Sequence, residues 1–438
     1  MPSEPLSGSG AGHVGQTPRT YEEASMIWGQ RSFRFGIILT AACTILLSAC
    51  SSSGGGTTGG GGSTPTARPT PTPVPCDTRP TTTAETWISG QQVMGMIPAG
   101  GSATTLSHFV YPLGIPDENA VGNAPFPGFT AIAPDAQHLA VAIIQYAPNF
   151  TEYDPFIVDT TSHAVTRVPL PHAITTWSEQ IPRRLFAWAS PQTLIIFGDT
   201  AYSYDVPSNT LSTLPGISGA VEGVVRCSTL YYLTFGTFTP LTTASDPNHN
   251  TVAPTLIHRY NLSSHTAIGA PINIGQASTY GGAEGQIDYG GWDVSPDGSH
   301  LAYQHETVTF SGGDAHRSSH WFAAHADGTS PAAILPVATA NTGARMSISP
   351  HGDWVAVTSA NPAPNVLAAP MSGGATHFFD APPGDTQPAW RADNTTFLSG
   401  PAELTATSPI TTAYSTSGAI HSNGVTAHTN AHDPATLG

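Results

Sequence analysis

Trp292-Asp293-Val294-Ser295-Pro296-Asp297-Gly298-Ser299-His300-Leu301-Ala302-Tyr303 decides the architecture of this chain. An apolar segment runs into a Ser-Pro-Asp-Gly turn, and a second apolar segment follows. The pattern recurs at Ile348-Ser349-Pro350-His351-Gly352-Asp353-Trp354-Val355 and, eroded, at Ile132-Ala133-Pro134-Asp135-Ala136-Gln137-His138-Leu139. Weaker copies start at Trp188, Val225 and Trp390, with Ile195, Tyr232 and Phe397 marking the second segment. Repetition at a period of tens of residues means stacked copies of one supersecondary unit. Asp-Gly and Asp-Asn pairs supply the positive φ that a tight hairpin requires.

Several copies carry a second hairpin. Phe156-Ile157-Val158-Asp159 leads through Thr160–His163 to Ala164-Val165-Thr166, Tyr202–Asp205 leads to Thr210–Ser212, and Arg259–Asn261 leads to Thr266–Ile268. Each unit therefore reads as four short antiparallel strands, the content of a propeller blade. Sustained 3.6-residue apolar periodicity is absent from this region, so helix is expected to be scarce. The fold expected is all-β, a β-propeller of six to seven four-stranded blades over 76–438, with Trp87 and Met94 fitting a further blade at 76–127. A long loop is expected at Thr239–Pro254. A two-sheet sandwich would leave the repeated turn unexplained.

The Ser-Pro-Asp-Gly turn between apolar strands resembles the TolB-type, WD40-like (PD40) propeller repeat. Residues 128–400 carry the resemblance, with good copies at Ser295 and Ser349; Ala136 and Gln192 depart from the pattern. The resemblance implies a propeller and names no ligand.

The N-terminus makes a second statement. Arg31 and Arg34 precede an apolar run from Phe35 to Leu47, too short to span a bilayer and suited to a signal-peptide core. It closes with Leu47-Ser48-Ala49-Cys50, which resembles the bacterial lipobox. That resemblance implies cleavage before Cys50 and a diacylglycerol on its thiol, enough for stable anchoring. Residues 1–49 are thus read as a lipoprotein signal peptide, with Met26 as an alternative start. Residues 50–75, the lipidated Cys and a Gly/Ser/Thr/Pro-rich stretch, form a disordered linker whose Pro-Thr-Pro half is the stiffer. The expected location is the extracytoplasmic face of a cell membrane.

Of four cysteines, Cys43 would leave with the signal and Cys50 would carry lipid. Cys76 and Cys227 remain, in a compartment where a disulfide persists, and pairing of the two is the favoured reading against two isolated thiols.

The chain has a net charge of −16 and its 13 basic residues are all Arg. That balance argues against nucleic acid as a partner. Only 10% of residues are charged, leaving a neutral, hydrogen-bonding exterior compatible with a protein or glycan partner. Acyl-transfer elbows and phosphate loops are absent, and no cofactor is expected. His300, His305, His316, His320 and His325 fall in one unit beside Asp314; His316, His320 and Asp314 are the weak metal candidates, set against a polar surface with no metal. Trp188, Trp292, Trp354 and Trp390 read as packing between blades, and Trp321 as the aromatic to test for ligand contact. The leading function is a lipid-anchored, non-catalytic scaffold binding an envelope protein or glycan. The alternative is an extracellular hydrolase or lyase using channel-facing carboxylates and His. Loops 239–254 and 305–320 are the expected binding segments.

Overall fold

The computed structural model divides the chain into two compact units, Met1–Pro69 and Thr70–Gly438. The described residues are 84–89, 91–97, 102–109, 126–146, 150–177, 184–198, 200–240, 251–279, 287–311, 314–334, 345–358, 366–374, 376–379, 388–390, 394–399, 402–405, 421–422, 425–426 and 432–437. The signal segment, Leu47, Ser48, Ala49 and Cys50, the linker and Cys76 lie outside them.

All described elements are strands. They form seven blades of antiparallel strands, six of them each within one span: 126–177 (blade 1), 186–218 (blade 2), 222–288 (blade 3), 292–333 (blade 4), 345–379 (blade 5) and 389–405 (blade 6, three described strands); a parallel contact of Gly275 with Glu306 joins the sheets of blades 3 and 4. A separate two-stranded hairpin pairs His421–Ser422 with Val425–Thr426. The innermost strands are Phe126–Ile132, Phe186–Ser190, Glu222–Arg226, Trp292–Val294, Arg345–Ile348, Ala389–Trp390 and His432–Leu437. Each touches the next, and the last touches the first, so the ring is closed.

Blade 7 closes it. Its three outer strands, Ala84–Ser89, Gln92–Met96 and Thr104–His108, come from the start of the domain, and its innermost strand, His432–Leu437, comes from the end. Ala84 pairs with Leu437. Trp87 and Met94 lie opposite each other, as their spacing suggested. Closure by this distant strand left no trace in the repeat pattern, because His432-Asp433-Pro434-Ala435-Thr436-Leu437 lacks the apolar run of the other inner strands.

Period-two alternation explains why blades stack. In His138–Tyr146, Leu139, Val141 and Ile143 are buried against blade 7 residues Ala84, Val93 and Leu106. The intervening Ala140, Ala142 and Ile144 are buried against Leu185, Phe186, Leu194 and Ile196 of blade 2. A strand sandwiched between two sheets loses its polar face, which is why it reads as a continuous apolar run. Blade 2 repeats the arrangement, with Leu194 and Ile196 facing blade 1 and Ile195 and Phe197 facing blade 3.

The repeated turn has one geometry. Ser295 N–H donates to His300 O at 2.9 Å and Gly298 N–H donates to Ser295 O at 2.8 Å; Ser349/Trp354/Gly352 and Ala133/His138/Ala136 make the same bonds. Ser295 Oγ also accepts from His300 N–H, and Ser349 Oγ from Trp354 N–H. Gly298 (φ 70), Gly352 (φ 78), Asn394 (φ 61) and Ala136 (φ 59) all take the left-handed conformation. Ala136 thus adopts the backbone its neighbours assign to Gly, at roughly 1–2 kcal/mol of strain.

Two expected loops are strands in part. Thr251–Asn261 is a strand, so the Thr239–Pro254 loop is shorter than expected, and 241–250 lie outside the described residues. Residues 305–320 belong to one long hairpin, His300–Ser311 against Asp314–His325. Alternating Thr, Val and His there satisfy strand geometry despite their polarity.

Candidate functional site at the channel mouth

The turns gather on one face of the ring. A Cβ on Gly298 would lie 3.5 Å from Cys227 Sγ in the blade 3 turn, and one on Gly352 would lie 3.3 Å from His300 Nδ1 in the blade 4 turn. Asn394 of blade 6 accepts from His351 N–H at 2.8 Å and donates to Asp353 Oδ2 at 2.7 Å, both of blade 5. This turn face is therefore locked blade to blade. The opposite face carries the long hairpins of blades 3 and 4.

Along the inner strands, from Arg184 at the hairpin-face end to Arg226 at the turn-face end, runs a charged cluster contributed by four blades. Arg184, two residues before the inner strand of blade 2, reaches across to blades 4 and 5. Its Nη2 donates to Trp292 O at 2.9 Å and Met346 O at 2.8 Å, and lies 3.2 Å from Asp293 Oδ1. Its guanidinium carbon stands 5.3 Å from the centre of the Trp292 ring. Arg226, at the turn-face end of the blade 3 strand, donates through Nε to Val294 O at 2.8 Å and through Nη2 to Asp293 Oδ1 at 3.4 Å. The other oxygen of Asp293 accepts from the Ile348 N–H at 2.8 Å. Asp293 is 2% exposed, and both of its oxygens accept from protein donors. Burial pulls the Arg226 guanidinium below its ordinary value, and Asp293 opposes that pull.

Trp292 connects this cluster to a second buried carboxylate. Its indole N–H donates to Glu222 Oε1 at 2.6 Å, and Tyr289 OH donates to Glu222 Oε2 at 3.1 Å. None of these residues was singled out in the sequence as a site. The available signal was small: three arginines, Arg184, Arg226 and Arg345, flank or occupy inner strands of a chain with few cations.

The histidine group does not converge. His300 lies opposite His325, with ring centroids 6.5 Å apart, and His305 lies opposite His320. Positions 300 and 305 are an odd number apart, so the two pairs project to opposite faces of the hairpin. His316 and His320 sit four residues apart on one extended strand, about 13 Å, too far to share an ion; the side chains of Asp314 and His316 lie outside the description. Among the described residues no three His, Cys, Asp or Glu side chains come together in a metal-binding group.

Trp321 is also corrected. It is 1% exposed and packed with Met346, Ile348, Val355 and Leu367 between blades 4 and 5. Its strand position points it into the neighbouring blade. Trp188 and Trp390 behave as expected, donating indole N–H to Ala131 O and Ser347 O of the preceding blades; Trp354 instead contacts His377 of its own blade, edge to face at 5.9 Å. Asp297 is a turn residue, accepting from Ser295 Oγ at 2.5 Å and from Ser299 N–H at 3.0 Å. Cys227 (φ 58) is disulfide-bonded; the other three cysteines all precede the described residues.

Comparison with known proteins gives neighbours of fold. No family model and no curated protein matches the chain. Similar solved structures include an oligogalacturonate lyase in complex with manganese (13% identity, 70% of this chain and 79% of that one, TM-score 0.40). A putative TolB from Agrobacterium tumefaciens is 13% identical, over 72% of this chain and 95% of that one, with a TM-score of 0.36. An oligogalacturonate lyase from Vibrio parahaemolyticus is 9% identical over 64% and 94%, with a TM-score of 0.31. The domain is a β-propeller. These similarities assign it neither ligand nor reaction.

Proposed function

We propose that this protein is an extracytoplasmic lipoprotein, anchored through Cys50, whose propeller is a non-catalytic scaffold for an envelope protein or glycan. The observation that carries the scaffold reading is the state of Asp293. It is the carboxylate at the centre of the inner-strand cluster, and two guanidiniums and a backbone N–H hold it. A general acid or base needs a carboxylate free to exchange a proton with substrate. Glu222, the next carboxylate, is likewise held by Trp292 and Tyr289. The competing hydrolase or lyase reading has less support for that reason.

Cys227 lies on the turn face and is disulfide-bonded, and Cys76 is the cysteine assigned to it in this reading.

Cys50→Ala is expected to move the protein from the membrane fraction to the soluble one and to abolish lipid labelling; persistent labelling overturns the anchor. Capture of one envelope component by the detergent-solubilised full chain, lost on substitutions in the 300–325 hairpin but not in the turns, supports the scaffold. Turnover of a glycan by the same preparation overturns it.

A further inference from the structure

We propose that the hairpin-face mouth of the channel binds a carboxylate group, presented by the partner or ligand, on the guanidinium of Arg184. This rests on the scaffold reading and names the chemistry that the scaffold would recognise.

The argument begins with how Arg184 uses its donors. A guanidinium has five N–H groups in a planar fork. In Arg184 one nitrogen, Nη2, serves Trp292 O, Met346 O and Asp293 Oδ1 together. Among the described residues, Nε and Nη1 meet no acceptor. The side chain is 12% exposed, so these remaining N–H groups are reachable from solvent, on a side chain otherwise fixed by three blades and by the Trp292 ring. A donor group immobilised by protein on one side and open on the other is preorganised for an anion, because the entropy of ordering it is already spent.

Charge acts in the same direction. Asp293 is the carboxylate in contact with both Arg184 and Arg226. Arg226 is further attracted by Asp297 from the turn side, whereas Arg184, at the opposite end, only shares Asp293. Glu222 stands behind the Trp292 indole, engaged with that ring's N–H and with Tyr289. The mouth therefore presents a cation in a chain whose net charge is −16. The negative balance of the chain disfavours a polyanion more strongly than a single carboxylate, so the latter fits better than a phosphate-rich polymer.

The indole beneath the guanidinium supplies a probe. Tryptophan fluorescence of the full chain, with Trp292→Phe as the control that isolates this indole among the eight, is titrated with acetate and with a short peptide bearing one Asp side chain, its termini blocked, at constant ionic strength set by chloride. A saturable change with both probes is expected, and its affinity should fall at least tenfold in Arg184→Met. Saturation with the peptide alone identifies a protein carboxylate, and with acetate alone a small-molecule one; either supports the site. No saturable change in the wild type, or an unchanged response in Arg184→Met, overturns it. If Arg184→Met does not fold, Arg184→Lys is read instead: binding weakened but retained supports the site, and unaltered binding refutes it. Loss of carboxylate binding while the full chain still captures an envelope component would sink this inference and leave the scaffold standing.

Discussion

The indole N–H of Trp390 donates to the carbonyl of Ser347 at 2.9 Å, one blade away, and Trp188 donates to Ala131 in the same way. The two tryptophans occupy the same position of the repeat, immediately before the turn. Each accepting carbonyl is one residue before that position in the preceding blade. A repeat residue thus acts as a cross-link between blades. Replacing Trp390 by Phe removes the donor and leaves a buried carbonyl unmatched, so a loss of about 1–3 kcal/mol is expected in urea unfolding. Trp354→Phe, whose ring contacts its own blade, should cost less.

Asp293 is expected to be the most sensitive polar position. Asp293→Asn leaves Arg184 and Arg226 facing each other without a counter-charge, with a cost of about 3–5 kcal/mol. Adding Arg226→Gln to that variant should restore part of the loss. A double-mutant cycle measured by chemical denaturation checks the coupling.

Ala136 offers the opposite outcome. Its φ of 59 is the conformation Gly298 and Gly352 adopt freely, so Ala136→Gly should stabilise the domain by roughly 0.5–1 kcal/mol in spite of its more flexible unfolded chain. A lower midpoint in thermal unfolding would refute the strain assigned to this turn.

Acid should weaken the protein in two stages. Burial, and then the charge of His320, hold His305 below its ordinary value of 6.5, and burial alone does so for His258. A depressed histidine binds its proton more readily when unfolded, so its contribution is full above 6.5 and declines as pH falls below it. Burial pushes Asp297 up, but hydrogen bonds from Ser295 and Ser299, helped by His300, bring it below 3.8. Backbone and side-chain bonds from Ser162 lower Asp159, and bonds from Thr329 lower Asp327. These carboxylates stabilise above about 3.8 and lose that effect as pH falls further. Unfolding midpoints measured from pH 7 to 3 should fall in both windows, and Asp297→Asn should flatten the lower one.

The turns and blades were legible because Ser295, Pro296, Asp297 and Gly298 are dictated by local backbone geometry, and local geometry is written in consecutive residues. The strand at 300–325 was harder to read: its His, Thr and Ser look like loop composition, and only pairing with its own return strand makes it regular. Trp321 was misjudged because its neighbour His320 is polar; burial is a property of the face, and the adjacent residue points elsewhere. The channel cluster was invisible in the sequence, since Arg184, Arg226, Asp293 and Met346 meet only when four blades are assembled.

The pairing of Ala84 with Leu437 sets a schedule. The first strand of the domain waits, with one edge open, until its distant partner, His432–Leu437, has been synthesised. Contacts so far apart in sequence form late, after the closure of a long loop. Blades 1 to 6 gain neighbours one after another as the chain lengthens, but the ring as a whole has no closed intermediate.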